Sequence, residues 1–205
     1  LQDGYIVGAL CVVDIEPRVF PAHQITILKA FAKVVLSELE LRTVASTDAL
    51  TGLMSREAWT SRLSMELERA TRRPTDLCTM MIDIDHFSRI NDLFGPGMGD
   101  IVMQEISRTI KRMTGRSDFV GRIGGEELAV CLVGRRREEG KALAESIRRS
   151  IAELRFPQHK GLRCTASIGV AALDNGKSAR ALLKRSDRAL YLAKIQGRDR
   201  VHAAA

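Results

Sequence analysis

Gly124-Gly125-Glu126-Glu127-Leu128 is the stretch that decides the fold, read together with Asp83-Ile84-Asp85 upstream. Apolar runs flank the glycines, with Phe119 and Val120 before them and Ala129 to Val133 after. A Gly-Gly pair between two such runs predicts a β-hairpin with a tight turn at positive φ. A third apolar run, Leu77 to Ile82, leads into Asp83. The turn and that strand end are expected to converge at one edge of a sheet. Carboxylates meeting there repel one another unless a cation lies between them. Hard oxygen donors suit Mg²⁺, an ion that commonly arrives with a phosphate substrate.

Around this centre the pattern alternates between helix and strand. It predicts helices over about 55–72, 86–94, 99–113, 138–153 and 178–196, strands over 77–84 and 163–171, and the hairpin over 118–133. Such alternation gives an α/β fold with a central sheet covered by helices. Upstream, Ile6 to Val13 reads as the core of a glycine-punctuated strand over 4–13, followed by a turn through Pro17 and Pro21. A long helix is expected from about His23 to Val44. Ile25, Leu28, Ala32, Val35 and Leu39 make a heptad seam along it, and Ile27, Phe31, Val34 and Leu41 make a second stripe.

The chain has 205 residues, 45% of them hydrophobic, which is enough for a sizeable core. A net charge of +7 suits an anionic substrate. Only 4% of residues are aromatic, which argues against a single-strand binder that stacks bases on rings, so no nucleic-acid partner is expected. Cys11, Cys78, Cys131 and Cys164 lie singly in apolar stretches and read as reduced core thiols of a cytoplasmic protein. Ile6 to Val13 is too short to span a bilayer, so no membrane contact is expected in this segment. Because the chain opens at Leu1, it reads as a piece of something longer. Gly134-Arg135-Arg136-Arg137-Glu138-Glu139-Gly140-Lys141-Ala142 imitates a phosphate loop, but its spacing and Ala142 are wrong for one. Arg135-Arg136-Arg137 reads instead as a solvated loop.

From Asp48 to Arg198 the sequence resembles the GGDEF family of diguanylate cyclases. The resemblance rests on segments in the family's order: Asp48-Ala-Leu-Thr-Gly-Leu-Met-Ser-Arg56, Asp83-Ile-Asp-His-Phe-Ser-Arg-Ile-Asn-Asp92, Gly99-Asp100, Arg122-Ile-Gly-Gly-Glu-Glu-Leu128, Ser167-Ile-Gly169 and Asp187 to Arg198. It implies a mostly antiparallel sheet flanked by helices, with the palm-like βαββαβ core of nucleotidyl cyclases. The strand and long helix before it resemble the end of a GAF sensory domain leading into a signalling stalk. The resulting expectation is a GAF-like fragment over 1–22, a stalk over 23–46 and a cyclase domain over 47–205.

The resemblance implies Mg²⁺, with Mn²⁺ as a substitute, held by Asp83, the Ile84 carbonyl and Glu126. It gives Glu127 either a second metal or the proton of the attacking hydroxyl. It assigns Asn91 and Asp100 to the guanine edge of GTP, and Lys194 and Arg198 to the terminal phosphates. The backbone amides of His86 and Phe87 open a helix, a position that receives phosphate oxygens. Simpler roles stand beside these. Asp85 is expected to cap the helix that follows it, Asp100 has a cap role open to it, and Lys194 and Arg198 could be a solvated basic helix end. Asp187, Tyr191, Lys194 and Arg198 are expected on one helix face, with Gly197 as the stop.

Four departures bear on activity. Ser88 stands where the family usually has a phosphate-binding lysine, Pro96 where histidine is common, and Leu128 where phenylalanine is usual. The family's product-inhibition pair, Arg-x-x-Asp, keeps Asp118 but has Gly115 in the arginine position. A charge-assisted contact is worth roughly 1.5–3 kcal/mol, so Ser88 is expected to slow turnover by about ten- to a hundred-fold. The expectation is a slow homodimeric diguanylate cyclase joined through stalk and cyclase domain, with weak feedback inhibition. The alternative is a degenerate domain that binds GTP or cyclic di-GMP and regulates a partner.

Overall fold

The computed structural model describes residues 10–13, 16, 19–157, 159–173 and 178–204. The chain divides into two compact units, residues 1–45 and 46–205.

In the first unit, α1 spans Ala22–Ala45. Of the expected seam, Leu28 and Ala32 are half-buried while Ile25 and Val35 are exposed, as are Ile27, Phe31 and Val34 of the second stripe. Most of the strand expected over 4–13 lies outside the described residues. Leu10 to Val13, which are described, form no strand.

The second unit is a five-stranded sheet between two layers of helices. After α1 the order is α2 (Arg56–Arg72), β1 (Leu77–Ile84), α3 (Phe87–Phe94), α4 (Pro96–Met113), β2 (Phe119–Arg122), β3 (Glu127–Val133), α5 (Arg137–Ala152), β4 (Ala166–Ala172), α6 (Ala179–Ile195) and β5 (Val201–Ala203). The strands lie in the order β2-β3-β1-β4-β5, antiparallel except for β4 and β5. The short strand β5 was not foreseen. It has three residues and carries no pattern of its own.

Alternation along β1 divides the core. Cys78, Met80, Ile82 and Ile84 pack with Ile90, Val102, Ile106, Ala144 and Ile147 of α3, α4 and α5. Leu77 and Met81 pack on the other side with Trp59, Leu63 and Leu67 of α2 and Leu182 and Leu190 of α6. Gly169 lets α6 lie directly on β4, since a Cβ there would come within 2.1 Å of the Leu190 amide nitrogen. Asp83, like Leu77 and Met81, therefore belongs to the face covered by α2 and α6.

α4 begins at Pro96, earlier than expected. Gly95, at φ 81°, turns the chain, and Pro96 fills the first helical position, where its missing N–H costs nothing. Asp100 consequently lies inside the helix and does not cap it.

Candidate active site

The site is assembled at the end of β1. Asp83 is paired in register with Glu127 on one side and with Ser167 on the other. The Ile84 amide donates to the Glu126 carbonyl at 3.3 Å, which fixes the hairpin turn beside the strand end. The turn closes through the Ile123 and Gly124 amides, both donating to the Glu127 carbonyl, at 2.8 and 3.3 Å. Neither Gly124 nor Gly125 adopts positive φ, contrary to the expectation for a two-residue turn. The loop from Ile123 to Glu126 is long enough to reverse without it. Gly124 instead leaves room for the Glu127 carboxylate, whose oxygen would lie 2.7 Å from a Cβ there and would have to shift.

Asp83 is buried, and its one close counter-charge among the described residues is the Lys194 ammonium, 2.6 Å away on α6. Burial pushes the Asp83 carboxyl up; Lys194 works against this, while Glu127 and Asp85 add to it. Glu126 is also pushed up, first by burial and then by Asp83, with Lys194 opposing. Asp187 lies on the surface, yet partial burial and then Glu127 raise it, with Arg56 opposing. Asp83, Glu126 and Asp187 are thus each raised by burial and by a neighbouring carboxylate, with Lys194 and Arg56 as the opposing charges. Among the described residues no three acidic, histidine or cysteine side chains stand at metal-binding spacing. Asp83 is turned to Lys194. The donor chemistry nonetheless fits a hard cation: burial disfavours the ionised forms of Asp83 and Glu126, and an ammonium already sits on Asp83.

Asp85 does not cap α3. The cap position is His86, at φ 56°, with no side-chain cap bond. The buried Asp85 carboxylate accepts instead from the Thr165 and Ser167 hydroxyls, both at 2.7 Å, and from the Asp199 amide at 3.0 Å. The α3 amides open the helix at Phe87. The Asn91 side chain lies against Gly99, where a Cβ would come within 1.9 Å of its oxygen, so Asn91 and Asp100 occupy neighbouring positions on α3 and α4. Lys194 reaches Asp83, whereas Arg198 lies beyond the helix. Gly197, at φ 118°, does stop α6, but Arg198 follows at φ 61°, off the face shared by Asp187, Tyr191 and Lys194.

Two supporting residues were quoted in the sequence without a role. Arg122 braces the turn: Nε donates to the Gly124 and Gly125 carbonyls at 3.2 and 3.3 Å, and Nη2 to Gly125 at 2.7 Å. Its other arm meets Asp48 at 3.3 Å. Burial raises the Asp48 carboxyl, but the Thr51 hydroxyl and amide and Arg122 outweigh it, so the net direction is downward. An arginine directly before a turn with exposed carbonyls was the available signal for this role.

Fold and site together define an α/β domain that gathers acids and a cation at the end of its central strand β1, an arrangement suited to phosphate chemistry. The sequence family described as "Diguanylate cyclase, GGDEF domain" matches residues 45–200. The chain belongs to this family. It is 42% identical over 176 residues to diguanylate cyclase DgcP of Pseudomonas aeruginosa, covering 84% of this chain and 26% of that protein. The coiled coil and GGDEF domain of DgcB from Caulobacter crescentus, solved with c-di-GMP, superposes with a TM-score of 0.78 at 29% identity, covering 90% of this chain and all of that one (100%). The active GGEEF domain of a diguanylate cyclase from Vibrio cholerae gives 0.71 at 34% identity, covering 75% and 98%. The chain spans about a quarter to a half of the curated relatives DgcP and DgcC of Escherichia coli (26% and 47%). Among the described residues no helix is long and apolar enough to cross a membrane.

Proposed function

We propose that this chain is a diguanylate cyclase that condenses two GTP into cyclic di-GMP and two pyrophosphates, acting as a homodimer. The observation that carries this reading is the buried Asp83, in register with Glu127 and beside Glu126, with Lys194 as its close counter-charge. Asp83, the Ile84 carbonyl, Glu126 and Glu127 would hold Mg²⁺ or Mn²⁺. Such an ion, when bound, polarises the phosphoryl group and favours loss of the hydroxyl proton.

The chain's own residues divide the remaining work. Asn91 and Asp100 present amide and carboxylate groups to the guanine edge, where Asp accepts from N–H donors and Asn both donates and accepts. The His86 and Phe87 amides receive phosphate oxygens at the start of α3. Lys194 exchanges Asp83 for the phosphates, and Arg198 joins it there. Glu127 takes the proton of the 3′-hydroxyl as that oxygen attacks the α-phosphate of the GTP on the partner protomer, and pyrophosphate leaves. Two half-sites must face each other, so dimerisation is part of the mechanism. The exposed apolar residues Ile25, Ile27, Phe31, Val34 and Val35 of α1 support a second copy as the stalk's partner, with residues 23–46 as stalk and 47–205 as cyclase domain. The GAF-like reading of residues 1–22 remains part of this proposal.

The test is product analysis by chromatography and mass detection after incubation with GTP and Mg²⁺. Native and zipper-fused forms are compared, with Glu127→Ala as control. Cyclic di-GMP is expected from the parent, and about 10²–10⁴-fold less from the control, the range for losing a positioned proton acceptor. GTP binding without product, even from the forced dimer, would make the domain a regulatory module.

A further inference from the structure

Between α6 and β5 the chain passes through three successive left-handed residues: Gly197 at φ 118°, Arg198 at 61° and Asp199 at 45°. Glycine adopts this conformation freely, but residues with a Cβ do so at a cost and need holding in place. Asp199 is held from two sides. Its amide donates to Asp85 Oδ2 at 3.0 Å, and its carboxylate receives Arg148 Nη1 at 2.7 Å. Arg148, on α5, is itself aligned by Glu145, with Nε to Oε2 at 2.9 Å. The hydrogen bond that Arg148 donates to Asp199 is the first cause holding its guanidinium in the charged form; burial opposes it and Glu145 assists. Asp85 binds the same turn to the start of β4 through Thr165 and Ser167, two residues past Asp83. The clamp therefore spans β1, β4, α5 and the turn.

Arg198, one residue before Asp199, is exposed, and its guanidinium has no hydrogen-bond or ion-pair partner among the described residues. Its neighbours are engaged. Arg200 Nε donates to the Arg198 carbonyl at 3.0 Å, and the Arg198 amide donates to the Ala193 carbonyl at 3.1 Å. With no side-chain partner, Arg198 is directed by its backbone, which is held by its own bonds to Ala193 and Arg200 and, one residue on, by the anchored Asp199.

We propose that Asp199, clamped by Asp85 and Arg148, is a positioning residue that directs the Arg198 guanidinium toward the phosphates of the bound nucleotide. Released from the clamp, the turn relaxes to right-handed conformations and Arg198 swings away. Lys194, still inside α6, stays in place. This rests on the cyclase reading above. It predicts an effect on substrate binding and not on the chemical step, because the clamp touches none of the acids of the hairpin.

The experiment measures KM for GTP and kcat for cyclic di-GMP formation, with melting temperature recorded for every variant and the parent measured first. Asp199→Ala is expected to raise KM by about ten-fold, the loss of one charge-assisted contact, with kcat within about two-fold. Asp199→Asn should restore most of the affinity, since Asn tolerates the left-handed conformation and its carbonyl still accepts from Arg148. Arg198→Ala should raise KM equally, and the double variant with Asp199→Ala should be no worse than Arg198→Ala alone. A purely structural role would give additive losses. Arg148→Gln, at the far end of the clamp, is expected to raise KM by about three-fold and serves if Asp199→Ala fails to fold. An active parent with unchanged KM in Asp199→Ala, or additivity with Arg198→Ala, overturns the clamp alone. A parent that makes no cyclic di-GMP overturns the cyclase reading and the clamp with it.

Discussion

The ladder between β1 and β3 has a buried acid near each end, and the two are treated in opposite ways. Beside the end of β3, Asp118 is 2% exposed at its side chain and accepts from the Gly115 amide at 2.8 Å, the Val133 amide at 3.1 Å and Arg135 at 3.2 Å. At the other end, Asp83 has Lys194 and two further carboxylates for company, and burial raises it. A carboxylate supplied with donors serves the fold. The one placed among other acids is the one proposed to hold a cation. Asp118, expected as half of a product-inhibition pair, is instead occupied by the Gly115 and Val133 amides and by Arg135.

Substitution at the two ends should separate activity from stability. Asp83→Asn is expected to lower cyclic di-GMP formation by at least about 10²-fold while leaving the melting temperature unchanged or higher. Steady-state rates and thermal unfolding of the same sample check both halves. Asp118→Ala should do the reverse. Leaving two amides and a guanidinium without their acceptor costs about 2–4 kcal/mol of stability, read by denaturant unfolding, with the rate per folded molecule retained. Equal loss of activity from both would erase the distinction.

Ser88→Lys sharpens the contrast by adding a cation near the unsatisfied end. Ser88 is exposed on the first turn of α3, so the lysine meets no steric barrier. kcat/KM should rise by about ten-fold. An unchanged value would mean that Lys194 and Arg198 already suffice.

The smallest effect is on the pH dependence of stability. A carboxyl raised in the folded state binds more protons there than in the unfolded chain. Asp83, Glu126 and Asp187 therefore stabilise the fold below the ordinary carboxylate range, and that contribution is lost as pH rises through their raised values. Asp48, lowered, contributes in the opposite sense and loses its share on acidification. Unfolding midpoints between about pH 4 and pH 6 should fall less steeply with rising pH in Asp83→Asn than in the parent.

Much of this was legible in the chain. Apolar period and length placed β1 at 77–84, and the hairpin, α2, α5 and α6 to within a residue or two, because burial of one face imposes those periods directly on the sequence. Asp83, Glu126 and Glu127 could be named for the same reason: each stands at a strand end or turn whose position the apolar runs mark. The start of α4 is less legible, because Gly95-Pro96 reads as a break in a pattern and also opens the helix, Pro96 filling its first position.

What the sequence alone determined is the class of chemistry and the elements that carry it, since both depend on residues near one another along the chain. What only the tertiary structure decided is which partner each acid takes. Asp85 looked like a cap and proved to be the knot joining β1, β4 and the Asp199 turn, whose donors lie at residues 165, 167 and 199. Arg148 meets Asp199 from a different helix. Such pairings arise when the sheet brings distant strand ends together, and a hydrogen bond between residues so far apart leaves no local period to read.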